Sequence, residues 1–126
     1  MKPEELLELI EKIPEEIKML SLDILNKEND LLSLQQTKEL KVSEEKLLIA
    51  MALDENGKKL FTNEDSRNAE LRKRLSSDEN YKIIDEKIRS IQEEINRAKI
   101  EIRFLHDKLK VVRIQTDLLH ETSKTS

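Results

Sequence analysis

From Tyr81 to Leu119, positions spaced three and four apart are apolar or aromatic, with Thr116 as the single exception. Such a 3.5-residue repeat keeps one side of an α-helix facing a partner helix. A long heptad helix is therefore predicted over 77–121. Its buried seam is expected to contain Ile84, Ile88, Ile91, Ile95, Ala98, Ile102, Leu105, Leu109 and Val112.

A less regular form of the same pattern occupies the first half of the chain. The spacing holds from Ile10 to Leu34, residues 35–46 are polar, and apolar residues return at 47–53. A long helix is predicted over 14–53. Because proline lacks an amide donor and clashes with the preceding turn, Pro14 is expected to kink or restart the helix. Residues 1–13 then form an N-terminal helix or a kinked extension.

The segment 54–76 reads as a turn followed by a short helix. The only glycine, Gly57, suits a turn that needs a positive φ, and Thr62 or Asn63 suits a helix start. The sequence Ser76-Ser77-Asp78-Glu79 predicts a capping box before the last helix. Residues 122–126 are expected to form a loose tail.

Two long helices of similar length with a short connection are expected to pack antiparallel. The predicted fold class is all-α: one domain over 1–126, a long antiparallel helical hairpin (coiled coil) with a short helix at its tip. Pairing residue 53 with residue 77 sets the expected register. Residues 1–57 carry 7 Lys/Arg and 14 Asp/Glu, net −7, and residues 58–126 carry 16 and 13, net +3. Glu15 and Glu16 are therefore expected beside Arg113.

The last helix carries a second apolar line beyond its seam. We call this line the stripe: Ile100, Phe104, Val111, Ile114 and Leu118. These positions lie opposite the seam, where a two-helix hairpin leaves them in water, and exposed apolar patches mark interfaces. Three interpretations stay open: assembly into a homo-oligomer (a dimer or a larger helical bundle), docking of another protein, or intramolecular cover by residues 1–13.

Composition argues against an enzyme, a cofactor site or a small-molecule substrate. Two Phe, one Tyr and no Trp give little material for a pocketed core, and one glycine cannot form a phosphate-binding loop. No cysteine is present, so thiolate chemistry is excluded and a reducing cytoplasm is expected. His106 and His120 are fourteen residues apart on one helix, so no metal site and no catalytic residues are predicted. No apolar run is long enough to suggest a membrane span.

Basic residues cluster near the predicted tip. Together with Phe61 and Tyr81, they would suit contact with single-stranded nucleic acid. Interleaved acids and a pI of about 5.4 favour the alternative, that these residues pair with acids and provide solubility. The cluster contains Lys58, Lys59, Arg67, Arg72, Lys73 and Arg74.

One stretch resembles a known group of proteins. Leu47 to Tyr81 contains Ala52-Leu53-Asp54-Glu55-Asn56-Gly57-Lys58, Asn63-Glu64 with Arg67, and Leu75 with Asp78, followed by the heptad helix. Over residues 47–120 this resembles small helical proteins, mostly of unknown role, of tailed bacteriophages and prophages, often encoded near recombination or replication genes. The resemblance implies a role in phage DNA metabolism in the host cytoplasm. It supplies no catalytic residues.

The long paired helices also invite comparison with prefoldin, which holds unfolded clients at the tips of antiparallel helices beside β-hairpins. No alternating β-rich run occurs between residues 54 and 76, so the chain departs from that pattern. The sequence favours a non-enzymatic coiled-coil interaction or scaffold protein, a phage or prophage accessory factor. The alternatives are a DNA-binding accessory of phage recombination or replication and a prefoldin-like holdase chaperone.

Overall fold

The structure, a computed structural model, describes residues 2–125 and the side chains of residues 2–122. Within this range the protein is all-α, as predicted, with helices α1 (Pro3–Met51), α2 (Glu64–Ser76) and α3 (Glu79–Thr125). Contacts divide the chain into two compact units. Unit 1 contains the residues up to Glu28 and from Glu93 onward, and unit 2 is Asn29–Gln92.

Helix α1 is continuous through Pro14, so the predicted restart at this residue is wrong. A proline inside a helix removes one backbone hydrogen bond and costs roughly 3 kcal/mol or more. Tertiary packing compensates at this point, because the preceding Ile13 is only 2% exposed and packs in the core of unit 1. Pro14 itself is exposed and points its ring away from that core.

The core of unit 1 lies between antiparallel segments of α1 and α3. Ile13 packs with Leu105 and Leu109, while Lys27 Nζ lies 3.3 Å from Glu94 Oε2. Higher numbers in α1 thus meet lower numbers in α3. The core cluster is completed by Leu9, Ile17 and Leu20.

The predicted register of the two long helices is wrong by about ten residues, or nearly three helical turns. Pairing residue 53 with residue 77 places Ile13 near residue 117, whereas Ile13 packs against Leu105 and Leu109. The predicted pairing of Glu15 and Glu16 with Arg113 is also wrong. Among the side chains that the structure describes, no ion pair joins these residues.

Within unit 2, the pairing of α1 with the later residues also differs from the predicted one. Arg74 Nη1 near the end of α2 lies 3.6 Å from Glu45 Oε2, and Lys41 Nζ lies 2.7 Å from Asp78 Oδ2. Helix α2 therefore runs beside the last turns of α1, and α3 begins opposite Lys41 rather than opposite the end of α1. The sequence pattern places α2 along the chain but carries no information about which part of α1 it packs against.

The connection after α1 is a tight turn closed by backbone hydrogen bonds. Asp54 N donates to Lys58 O at 2.7 Å, and Leu60 N donates to Ala52 O at 2.9 Å, with an isolated antiparallel bridge between Leu53 and Lys59. Gly57 has a φ of 77°, the left-handed conformation that favours glycine. The Asp54 carboxylate further accepts from two backbone amides inside the turn.

The two later helices start at side-chain caps. Asn63 caps α2: its side chain accepts from Ser66 N at 2.7 Å. Asp78 caps α3 by accepting from Tyr81 N at 3.1 Å. The capping box predicted at Ser76–Glu79 is wrong, because the hydroxyls of Ser76 and Ser77 donate back to a carbonyl of α2.

The predicted loose tail at 122–126 is also wrong where the structure describes it. Residues 122–125 belong to α3, while Ser126 lies outside the described residues. The polar composition of this segment suggested the tail. Continuing an existing helix nevertheless adds one hydrogen bond for each residue that it orders, without the cost of a new nucleus.

Candidate functional site

The stripe lies on the side of α3 that faces away from α1. Seam positions of the same stretch, such as Leu105, Leu109 and Val112, are 2–6% exposed. The stripe residues have exposures of 63% (Ile100), 59% (Phe104), 54% (Val111), 59% (Ile114) and 57% (Leu118). A helix with two apolar lines can turn only one toward a single partner helix, so the second line stays in solvent.

Residues 2–13, the described part of the N-terminal segment, do not cover the stripe, so that interpretation is wrong. The N-terminal apolar residues pack in the seam of unit 1, where Leu6 and Ile13 are both 2% exposed. Leu7, one position further around the helix, is 57% exposed. Because α1 is continuous through Pro14 and buries Leu6 and Ile13, its first turns extend the seam.

Two small cavities lie at the end of the stripe in unit 1. One, of about 250 Å³, is lined by Leu6, Gln115, Leu118, Leu119 and Thr122. The other, of about 240 Å³, shares Leu6 and Leu119 and includes Thr116 and His120. Leu118 thus belongs both to the stripe and to the wall of a recess that fits an aliphatic side chain.

Every residue of the predicted seam is buried or half-buried. In unit 2, Ile88 is buried, and Ile84 and Ile91 are half-buried. In unit 1 every predicted seam residue is buried except Ile102, which is half-buried. The buried set of unit 1 is Ile95, Ala98, Leu105, Leu109 and Val112.

The basic residues near the tip differ in their surroundings. Arg74 is engaged by acids, with its Nε 2.9 Å from Glu70 Oε1 and its Nη1 3.6 Å from Glu45 Oε2, and these contacts raise its pKa. Arg67 is half-buried and lines a cavity of about 270 Å³ that also contains Glu64. The remaining cations are exposed and have no ion-pair partner among the side chains described: Lys58, Lys59, Arg72 and Lys73.

An apolar surface that the sequence analysis missed lies at the end of α1 in unit 2. We call it the apolar end; its residues, 53–65% exposed, are Leu47, Leu48, Met51, Leu53 and Leu60. The hydrogen bond from Leu60 N to Ala52 O brings the far side of the turn back to the helix end. In the stretch 47–53, where apolar residues return after the polar segment, only Ile49 is buried.

Unit 2 also contains a polar groove of about 820 Å³ between α1 and α3. Lys38 Nζ donates to Asp85 Oδ1 at 2.7 Å and lies 5.5 Å from the centre of the Tyr81 ring. The hydrogen bond from Lys38 lowers the pKa of Asp85, and the same bond raises the pKa of Lys38. Besides Lys38 and Asp85, its walls contain Gln35, Glu39, Val42, Ser43, Ile88, Arg89 and Gln92.

In the groove, Asp85 also accepts from Arg89 Nη2 at 3.3 Å, so this carboxylate lies beside two cations. Among the described side chains, no group of three or more His, Asp or Glu is close enough to hold a metal ion. Within the described residues, no helix is long and apolar enough to cross a membrane.

No protein-family model, curated protein or solved structure matches this chain. The resemblance to small phage proteins therefore stays a prediction. The stripe and the apolar end are the two exposed apolar surfaces described above, and the residues of the stripe are the more regularly spaced.

Proposed function

We propose that this chain is a non-enzymatic interaction protein that acts by packing the stripe of α3 against another helix. The observation that carries the proposal is the exposure of five large apolar side chains on the outward face of a helix whose opposite face is already buried. Within the phage context that the resemblance implies, this is the role of an assembly or adaptor factor.

The energetics support association of moderate strength. Full burial of a large aliphatic or aromatic side chain is worth roughly 1.5–3 kcal/mol. Each stripe residue is a little over half exposed, so its remaining burial is worth roughly 1 kcal/mol. Association itself costs roughly 4–15 kcal/mol. Five stripe residues packed against a similar surface offset this cost only if most of them are buried together.

The first experiment is the absolute mass in solution by light scattering, for the wild type and for Phe104→Glu with Ile114→Glu. The wild type is expected to exceed 14.8 kDa. The double variant is expected to dissociate while keeping its helical circular dichroism, because two carboxylates enter an apolar contact.

The matched control is Leu22→Glu with Leu32→Glu. These two residues have similar exposure (52% and 55%) and the same separation of ten residues, but they lie on α1. The control is expected to leave the mass unchanged. If the stripe variant also left it unchanged, or if both variants dissociated, the assignment of the stripe would be abandoned.

A second candidate function, retention of unfolded clients, is favoured by the apolar end of unit 2. Five exposed apolar groups around a turn, including a flexible methionine, suit contact with varied apolar segments. The test is suppression of aggregation of a denatured client. Activity that survives the stripe variant but is lost in Met51→Glu with Leu60→Glu would favour this function over the first.

A third candidate, contact with single-stranded DNA, is favoured by the four exposed cations that lack ion-pair partners among the side chains described. Arg72→Glu with Lys73→Glu is the informative variant, because Arg74 is held by Glu70 and Glu45. Fluorescence anisotropy at two salt concentrations is the measurement. Binding that weakens with salt and with this variant would support the candidate, and flat titrations would remove it.

A further inference from the structure

We infer that the partner of the stripe is a second copy of this chain, with the two α3 helices antiparallel and Ile100 of each copy opposite Leu118 of the other. This inference rests on the proposed function, since it names the occupant of the same surface. It depends on how the stripe residues and their charged neighbours are ordered along α3.

The stripe contains one polar position. Between Ile100 and Leu118 the spacing is four, three, four, three and four when Asp107 is included. Asp107 is exposed, as are the apolar members of the stripe. A single polar residue inside an apolar line specifies the register and orientation of helix pairing, because only some arrangements satisfy it.

The apolar residues favour one antiparallel register. With Ile100 opposite Leu118, Phe104 lies opposite Ile114, and each pair occurs twice about the two-fold axis. Four layers of the interface are then purely apolar. A shift by one heptad in either direction leaves one kind of apolar pair, which also occurs twice. This pair is Val111 with Ile114 for one direction and Ile100 with Val111 for the other, so only two apolar layers remain.

The position of Asp107 separates antiparallel from parallel pairing. In the antiparallel register, Asp107 lies opposite Val111, with Lys108 and Lys110 of the other copy close by on either side. Parallel in-register pairing would place the two Asp107 carboxylates against each other in an apolar environment. Like charges in such a position are strongly unfavourable.

The charges beside the stripe agree with the antiparallel arrangement. Arg103 of each copy lies beside Asp117 of the other, so this attraction also occurs twice. Lysines also approach one another near the axis, where the two Asp107 carboxylates offset their repulsion. Among the described side chains, none of these charged residues has an ion-pair partner within the chain: Arg103, Asp107, Lys108, Lys110 and Asp117.

The test uses single cysteines, which are unique because the chain has none. Glu101→Cys and Gln115→Cys flank the stripe and leave its apolar residues intact. The inferred register brings position 101 of one copy beside position 115 of the other. The two variants are mixed, allowed to exchange subunits, and treated with a short bismaleimide linker.

A cross-linked dimer is expected from the mixture and not from either variant alone. In each variant alone, the two thiols would lie about 18–24 Å apart along the helices. Product from each variant alone, with little from the mixture, would mean parallel pairing. No product in either case, from a protein whose mass is that of a dimer, would mean that the stripe packs elsewhere, as on α1 of the second copy. Both results overturn the inference and leave the proposed function standing, whereas a wild-type mass of one chain overturns both.

A charge exchange provides a second, independent readout. Arg103→Asp is expected to raise the dimer dissociation constant roughly tenfold, because two attractions become repulsions. Adding Asp117→Arg to the same chain is expected to restore the wild-type constant. Additive weakening by the two substitutions would contradict the pairing of these residues.

Discussion

Unit 1 and unit 2 are built from segments of the same two long helices, but different chemistry joins the segments. Among the residues that the structure describes, unit 1 buries eight apolar residues, whereas unit 2 buries two, Ile49 and Ile88. In unit 2, the seam positions of α1 include Lys38, Lys41 and Glu45, which form ion pairs with Asp85, Asp78 and Arg74. Apolar burial supplies most of the stability of a fold, whereas half-exposed ion pairs supply little stability but select a register.

The largest expected effect is the removal of a core side chain in unit 1. Leu105→Ala should lower the free energy of unfolding by about 2–5 kcal/mol, because Leu105 is 4% exposed and packs with Ile13 and Leu109. Met19→Ala, at a 69% exposed position, should change it by less than about 0.5 kcal/mol. Urea unfolding followed by circular dichroism measures both. Equal effects would contradict the assignment of the core.

The second prediction concerns the pair of Lys38 and Asp85 in unit 2. Asp85→Leu alone should destabilise unit 2, because Lys38 loses its carboxylate partner; the loss should be smaller than that of Leu105→Ala. The two side chains keep exposures of 32% and 30%, so water screens the pair.

The companion variant, Lys38→Leu with Asp85→Leu, should be at least as stable as the wild type, because replacing both partners by apolar groups removes their desolvation cost. Hydrogen exchange of peptides from residues 29–92 is the measurement. If the double variant were less stable than the wild type, the ion pair would contribute more to the stability of unit 2 than is predicted here.

The third prediction is a difference in pH dependence between the units. Hydrogen bonds from Lys41 and from the Tyr81 amide lower the pKa of Asp78, and the hydrogen bond from Lys38 lowers the pKa of Asp85. Because these pKa values are lower in the folded state, their stabilisation is complete above the ordinary value of about 3.8. It is lost as the pH falls through the lowered values.

At the alkaline end, the sign is reversed. Hydrogen bonds to Asp85 and Asp78 raise the pKa values of Lys38 and Lys41, so their stabilisation persists below about 10.5 and is lost above it. At the acid end, hydrogen exchange between about pH 2 and pH 5 should show earlier loss of protection in unit 2 than in unit 1, after correction for intrinsic exchange rates. Parallel loss in both units would contradict the contrast.

The smallest predicted effect is confined to the turn of unit 2. Gly57→Ala should destabilise the protein by roughly 1–2 kcal/mol, because a Cβ is unfavourable at a φ of 77°. The space around this position is open, with no atom within 4 Å of an added Cβ, so the cost is backbone strain alone. Glu55→Ala, in the same turn, is the control. A neutral Gly57→Ala in thermal unfolding would mean that the turn relaxes.

The sequence pattern predicted the buried side of α3 well. The three-and-four spacing identified a line whose members, from Ile84 to Val112, are all buried or half-buried. It also located the turn at Gly57 and the start of α2 at Asn63. These features depend on residues close together in the chain, where spacing and capping chemistry act directly.

Other features depended on contacts that the pattern does not contain. Pro14 predicted a restart, but the burial of Ile13 maintains a continuous helix. The polar stretch at 35–46 suggested a weakened seam, yet two of its lysines occupy seam positions because acids face them. These acids are Asp85 of α3 and Asp78, the residue that caps α3. Neither result is visible without the partner helix.

Periodicity and turn chemistry were thus sufficient for the all-α class, because they act within a few residues of one another. The register of α1 against α3, the position of α2 beside the end of α1, and the exposure of both the stripe and the apolar end were decided by packing. Each depends on residues far apart in the chain, and several registers satisfy the same apolar spacing. Only the ion pairs and side-chain volumes that meet in the folded protein select among them.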